Sequence, residues 1–119
     1  MGYIKVKATV ANPFNRDVKL DVEFVADTGA IYTMIPKSIA EELKLEETGR
    51  RRFKIASGET VEYPVSEAYI TVEDRGVTSL VVIGPEKSIP LLGTTTLELL
   101  GLQVDPVSGK LKPLELMML

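Results

Sequence analysis

The 119-residue sequence predicts an all-β protein, composed mostly of strands with one or two short helices. Two observations predict this class. Apolar and polar residues alternate along several segments, which is the period of a half-buried strand. Clusters of Gly, Pro, Asn and Asp separate these segments and are typical of tight turns between strands. The length corresponds to one domain, which we expect to span residues 1–119.

The first two strands are predicted to form a hairpin that ends in an acidic residue. Tyr3 to Val10 is the first strand, and Asn12-Pro13-Phe14-Asn15-Arg16 is a turn signal. Val18 to Ala26 alternates apolar with charged residues and closes with the wholly apolar Phe24-Val25-Ala26. The second strand is therefore expected to enter the interior immediately before Asp27.

Two short helices are predicted, from about Pro36 to Leu43 and from Thr94 to Leu100. Residues that cap helix ends mark both segments. The expected caps are a capping box of Ser38 and Glu41 in the first helix, Thr94 or Thr95 at the start of the second, and Gly101 at its end.

The remaining segments predict strands joined by short turns. Phe53 and Ile55 lead to the small-residue tip Ala56-Ser57-Gly58-Glu59, and Thr60 to Tyr63 has the pattern of a returning strand, so this segment predicts a hairpin. Later strands are predicted at Ala68 to Val72, Val77 to Ile83, Leu91 to Gly93, Leu102 to Val104 and from Lys110 onward.

Composition excludes several kinds of catalytic site. The chain has no Cys and no His, so disulfides, thiolate nucleophiles, Ser-His pairs and Cys- or His-ligated metals are excluded. Carboxylate, Lys, Tyr and hydroxyl chemistry remain. The acidic pairs Glu41-Glu42 and Glu46-Glu47 flank a short helix and are expected to be solvated. We therefore predict no metal and no cofactor.

Charge and hydropathy limit the partners. A net charge of −3 and a pI of about 5.0 argue against nucleic-acid binding. The one basic run, Arg50-Arg51-Arg52 with Lys54 nearby, is expected to be a solvated face. No apolar stretch approaches the roughly 20 residues that cross a bilayer, so no membrane role is expected. The N-terminus alternates polar and apolar residues unlike a secretory signal, which predicts a cytoplasmic protein.

The motif that carries chemistry is Asp27-Thr28-Gly29-Ala30. A carboxylate at the end of an apolar strand is costly to bury unless it is paired or hydrogen-bonded, which favours a functional role for Asp27. Gly29 allows another backbone to approach closely, and Thr28 supplies a hydroxyl that can bond across an interface. Taken alone, the motif also fits an ordinary strand-end turn in which Asp accepts backbone hydrogen bonds.

Three segments in order resemble the retropepsin-like, single-lobed aspartic peptidases. Phe24 to Ala30 is similar to their catalytic loop, Arg52 to Val65 to their flap hairpin, and Ile89 to Thr94 with the following helix to their hydrophobic-hydrophobic-Gly segment. The resemblance implies an acid-protease-like closed β barrel, with one lobe per chain in a two-fold homodimer. Because the chain has one Asp-Thr-Gly, the second catalytic Asp would come from another copy.

The resemblance also implies roles for individual residues. Asp27, Thr28 and Gly29 would be catalytic, with one water activated between two copies of Asp27. An extended segment of peptide or unfolded protein would lie beneath the flap around Gly58. The expected substrate-binding residues are Ala30, Ile55, Ala56, Ser57, Gly58 and Val61.

Two other interpretations remain open. The chain could be a dimeric peptide-binding or assembly module of the same fold with weak or no turnover, or a β-rich structural domain with a chance Asp-Thr-Gly. The intact Asp27, Thr28 and Gly29 favour the enzyme over both. The apolar tail from Leu114 to Leu119 would be an aggregation hazard on a monomer, and it is expected to contribute to a homodimer interface.

Overall fold

Nine strands and two short helices make up residues 3–118, the part of the chain that the computed structural model describes. The all-β class with two short helices is confirmed. The elements in chain order are β1 (Tyr3–Asn12), β2 (Asn15–Asp27), β3 (Thr33–Pro36), α1 (Lys37–Glu42), β4 (Gly49–Lys54), β5 (Thr60–Val72), β6 (Arg75–Gly84), β7 (Leu91–Leu92), α2 (Thr94–Leu100), β8 (Leu102–Asp105) and β9 (Lys110–Pro113).

Six of the strands close into a barrel. Their order is β1-β2-β7-β3-β6-β5, and β5 returns to β1 through the pairs from Thr9–Thr71 to Ala11–Tyr69. Strand β4 pairs with β5 outside this ring, and β8 pairs with β9 in a separate two-stranded sheet. The predicted closed barrel is confirmed. Closure satisfies the backbone groups that an open sheet would leave at its two edges.

The short strand β7 lies between β2 and β3. It runs parallel to β2, with Val25 opposite Leu91 and Ala26 opposite Leu92, and antiparallel to β3, where Met34 is opposite Leu91. Strand β2 ends at residue 27, and β3 begins at residue 33. The segment 28–32 must therefore pass over the end of β7 to reach β3.

The barrel interior is filled by the apolar residues that the alternation predicted to point inward. On β2, Val22, Phe24 and Ala26 are buried, while Glu23 faces solvent and Val25 is half-buried. Phe24 is fully buried together with Ile35, Ile70, Leu92 and Leu97. Full burial of one such side chain stabilises the fold by about 2 kcal/mol. This core fixes the end of β2, and therefore the position of Asp27.

Strand β5 is longer than the alternation predicted. It is a single 13-residue strand, whereas the sequence predicted separate strands before and after Pro64. Pro64 lies opposite Arg50 of β4, and β6 pairs with β5 only from Val65 onward. A proline has no backbone N–H to donate, but at Pro64 strand β5 is paired only with β4, so the missing donor interrupts no pairing with β6.

The predicted N-terminal caps are wrong in both helices. Helix α1 follows Pro36, so Ser38 lies inside its first turn and cannot form the predicted capping box. Helix α2 follows Gly93, and neither Thr94 nor Thr95 caps it through a side chain. The chain enters both helices from an adjoining strand in extended conformation. The predicted stop at Gly101 is confirmed, with a φ of 73° in the left-handed region.

Two further features concern the molecule outside the barrel. In the β8–β9 turn, the Val107 N–H and the Ser108 hydroxyl donate hydrogen bonds to the carboxylate of Asp105. These bonds, that of Val107 first, lower the pKa of Asp105 below its ordinary value.

Neither helix within residues 3–118 has the length and apolar character that crossing a bilayer requires.

Candidate active site

Asp27 lies at the end of β2, at the mouth of the loop that crosses β7. Its backbone pairs with Tyr3 of β1, and its side chain is half-buried. The Gly29 N–H donates a hydrogen bond to Asp27 Oδ1 at 3.0 Å, and the Ala30 N–H donates to the Asp27 carbonyl oxygen at 3.0 Å. These bonds form a tight turn that leaves Thr28 and Gly29 exposed to solvent.

The far side of this loop is held by the start of α2. The Thr94 N–H donates to the Ala30 carbonyl at 2.8 Å, and the Thr95 N–H donates to the Ile31 carbonyl at 3.0 Å. Gly93 permits this approach, because a Cβ at that position would lie 2.4 Å from the Ile31 carbonyl oxygen. The loop is thus fixed by backbone bonds and cannot be displaced by rotation of a side chain.

A buried network of side-chain hydroxyls lies beside the loop and joins β3, β6 and α2. Thr33 Oγ1 lies 2.6 Å from Thr96 Oγ1, and Ser79 Oγ lies 2.8 Å from the same atom. Thr33 Oγ1 also accepts a hydrogen bond from the Gly93 N–H at 2.9 Å. Thr33 and Thr96 are fully buried, so these bonds form away from water, where an unsatisfied hydroxyl would be costly.

This hydroxyl network was not predicted from the sequence. Its signal there is the presence of hydroxyl residues at positions whose neighbours are buried apolar residues, namely Thr33 before Ile35, Ser79 before Val81 and Thr96 before Leu97. Such a pattern marks polar groups that need partners in the core. It does not show that the three residues meet.

A cleft of about 530 Å³ lies between the loop and the β4–β5 hairpin. It brings together four of the residues expected to bind substrate or catalyse its cleavage, Gly29 and Ala30 from the loop and Ile55 and Ala56 from the hairpin. The two walls are also joined by aromatic packing, which was not predicted. The Tyr32 and Phe53 rings meet edge to face with centroids 5.5 Å apart.

The other expected binding residues lie farther along the hairpin and do not line this cleft. Ser57 and Gly58 form its exposed tip, and Val61 is half-buried on the returning strand. Gly58 has a φ of 89°, which glycine adopts without strain, and its N–H donates to the Ile55 carbonyl at 2.8 Å. The tip is thus a tight turn beyond the cleft.

Thr28 faces a different surface from Ala30. It lines a groove of about 720 Å³ together with α2 and the C-terminal segment, which belongs to no helix or strand from Leu114 to Met118. Leu99 is 54% exposed beside this groove, and Met117 and Met118 are 87% and 97% exposed. The carboxyl-terminal residue of the expected tail, Leu119, lies outside the described residues.

The barrel, the Asp-Thr-Gly turn at the end of β2 and the Gly93 contact together define a single-lobed acid-protease fold. Residues 6–106 match the sequence model of a family described as aspartyl protease, and the chain belongs to this family, as the resemblance to retropepsin-like peptidases predicted.

Solved structures with a similar fold exist, among them that of a viral protease. The solution structure of the Simian Foamy Virus (mac) protease superposes with a TM-score of 0.54 at 19% sequence identity, over 79% of this chain and 91% of the viral one. This similarity concerns the fold. A comparison with curated protein sequences gives no significant match.

Proposed function

We propose that the protein is an aspartic endopeptidase, active as a homodimer with one Asp27 from each copy. The observation that carries the proposal is the position of Asp27 in a rigidly held loop of an aspartyl protease barrel, with a single Asp-Thr-Gly in the chain. A dyad of carboxylates therefore requires a second copy, and two-fold symmetry supplies it.

The chemistry follows from two carboxylates that share one water. Two negative charges about 3 Å apart are costly, so the pair holds one proton between them. The ionised Asp27 takes a proton from the water, whose oxygen then attacks the scissile carbonyl carbon. The protonated Asp27 donates a hydrogen bond to the carbonyl oxygen and then gives its proton to the departing nitrogen as the C–N bond breaks. The other Asp27 keeps the proton taken from water, so the pair again holds one proton.

The surface around Thr28 supports a dimer. Thr28 is exposed beside an apolar groove, and the neighbouring Leu99, Leu116, Met117 and Met118 are exposed as well. Exposed apolar residues grouped in this way are unfavourable in water and favour contact with another surface. A copy placed against this face would bring the two Thr28 hydroxyls and the two Asp27 carboxylates toward one axis.

The Gly29 backbone supports close approach from outside the chain. A Cβ at Gly29 would meet only Asp27 Oδ1 at 3.7 Å, an ordinary contact, so nothing within the described part of the chain requires a glycine there. A substrate or a second copy that packs against this backbone would explain why residue 29 is a glycine. The β4–β5 hairpin, as the flap, would cover an extended peptide or unfolded segment.

The test is the Asp27→Asn variant, assayed on a library of peptides and denatured proteins with mass spectrometry of the products. Asn is nearly isosteric with Asp but cannot hold or release the dyad proton. We expect wild-type protein to cleave internal peptide bonds and the variant to lose at least about 1000-fold in rate. Sedimentation velocity and thermal melting should show a variant that is folded and dimeric.

Two results would contradict the proposal. Cleavage by Asp27→Asn at the wild-type rate would place the catalytic group elsewhere. A wild-type protein that binds a statine-type peptide at the cleft but cleaves no member of the library would be a peptide-binding module of the same fold.

A further inference from the structure

Three basic residues of strand β4 border the cleft beside the Asp-Thr-Gly loop. Alternation along the strand places Arg51 on the cleft face with Phe53 and Tyr63, and Arg52 and Lys54 on the opposite face with Arg50. Arg51, Arg52 and Lys54 border it, and among the described residues no Asp or Glu side chain does so. The chain as a whole carries a net charge of −3. The cleft is therefore a local positive region on an acidic protein.

These cations are not neutralised by neighbouring carboxylates. The ion pairs found on β4 within the described chain involve Arg50, whose side chain lies 3.8 Å from Glu47 Oε1 and 3.5 Å from Glu62 Oε2. Arg52 lies opposite Glu62 in the strand register, but that carboxylate is directed to Arg50. Arg51 and Lys54 have no carboxylate within ion-pair distance in residues 3–118.

The cleft combines this charge with an apolar floor. Its deeper walls include Val82, which is buried, and the half-buried Met34 and Leu91, whereas Arg51 and Lys54 are exposed. An apolar side chain fits the floor, and a carboxylate beside it would reach Arg51. Guanidinium groups bind carboxylates through paired hydrogen bonds, and a cleft concentrates the field of the charges along its walls.

We infer that the cleft selects peptide segments in which an apolar residue is flanked by acidic side chains. The inference rests on the proposed function, because it assigns a substrate class to the same cleft. It assigns Arg51 as the specificity residue, whereas Arg52 and Lys54 contribute only to the positive field around the cleft. Strand pairing supports the choice, because Arg51 lies opposite Tyr63, which also lines the cleft.

The experiment compares three peptides that share an apolar core and differ in flanking Glu, Gln or Lys. For wild-type protein we expect kcat/KM for the Glu peptide to exceed that for the Gln peptide about five- to tenfold. Raising NaCl from about 50 mM to about 500 mM should lower this ratio severalfold, because salt screens exposed charges. Arg51→Gln should bring the ratio close to one, and Arg51→Glu should favour the Lys peptide.

Arg50→Gln is the matched control, since it removes the same charge from the adjacent residue of the same strand, outside the cleft. Arg50→Gln also removes the ion pairs with Glu47 and Glu62, so it perturbs the charges around β4 at least as much as Arg51→Gln does. We expect it to keep most of the preference for the Glu peptide.

Binding measured on the Asp27→Asn variant separates this inference from the proposed function. Fluorescence anisotropy with the same peptides reports the preference without turnover, and we expect the same order of affinities and the same loss in Asp27→Asn/Arg51→Gln. Absence of cleavage by wild type together with a retained Glu preference in binding would overturn the protease proposal alone. Equal binding and cleavage of all three peptides, or equal effects of the Arg50 and Arg51 changes, would overturn the acidic preference.

Discussion

Two glycines of the candidate site are there for different reasons. Gly93 is required by the fold, because any side chain would collide with the backbone of Ile31 and Tyr32, whose nearest atoms would lie 2.4 Å from its Cβ. Gly29 has room for a Cβ within its own chain. The contact proposed above, with a substrate or a second copy, would give Gly29 the reason that the fold does not supply.

This difference gives a paired prediction. Gly93→Ala should destabilise the folded protein by roughly 3 kcal/mol, because the loop or α2 must move to admit the methyl group. Gly29→Ala should change the free energy of unfolding by less than about 1 kcal/mol while strongly reducing peptide cleavage. Urea unfolding followed by circular dichroism, with a cleavage assay on the same samples, checks both. If Gly29→Ala cleaves at the wild-type rate, no backbone approaches Gly29 in the working protein.

For single residues, the acid Asp27 could be predicted from the sequence, but the contacts that hold its loop could not. Asp27 could be identified because an acid after Phe24-Val25-Ala26 contradicts the burial of that strand. The bonds that hold its loop come largely from backbone N–H groups of Thr94 and Thr95, and every residue except proline has such a group. A sequence pattern therefore cannot reveal them.

At the scale of elements, hairpins and helices could be predicted, but the ends of the helices could not. The predicted Thr cap of α2 failed because Gly93, one residue earlier, occupies the N-cap position, and the first free N–H groups of the helix, those of Thr94 and Thr95, bond to the Ala30 and Ile31 carbonyls more than 60 residues away. Cap preferences describe helices whose first turn faces solvent or its own chain. Here a tertiary contact takes the place of the local one.

We predict that the β4–β5 hairpin moves in the free protein and closes over a bound peptide. If it closes over a peptide, the Gly58 amide should exchange rapidly in the free protein and become at least about tenfold slower with a bound statine-type peptide. Gly109 is the matched control, because its φ of 70° and its 2.9 Å bond to the Asp105 carbonyl resemble those of Gly58 in a turn outside the cleft. Hydrogen exchange followed by NMR measures both amides. Equal protection of the two on binding, or a Gly58 amide already as slow as the core, would exclude a flap.

At the scale of the whole molecule, the closed barrel was expected only through the resemblance. Alternation predicts that a strand has one buried face, but it carries no information about which strand is its neighbour. The placement of the two-residue β7 between β2 and β3 is the clearest case, because β7 is too short to have a periodic pattern of its own. Its position depends on packing of the complete core.

Because each chain has one Asp-Thr-Gly, we predict that activity requires a dimer with two intact copies of Asp27. Mixtures of wild type and Asp27→Asn, unfolded and refolded together, should show activity proportional to the square of the wild-type fraction, or about one quarter at equal amounts. Specific activity should also fall on dilution below the dimer dissociation constant. Activity and sedimentation measured across the series test this. Activity that is linear in the wild-type fraction, in a protein that sediments as a monomer, would mean that one chain contains the whole site.

The long-range hydrogen bonds that hold the Asp27 loop also have a consequence for biosynthesis. The bond between Thr33 and Thr96 joins residues 63 positions apart, and the one between Gly93 and Thr33 spans 60. Asp27 therefore leaves the ribosome long before the residues that hold its loop have been synthesised. Contacts so distant along the chain form late and slowly. The nascent chain carries the acid without the loop geometry of the folded protein, so the proposed hydrolysis cannot begin until residues 90–96 have been synthesised and have docked.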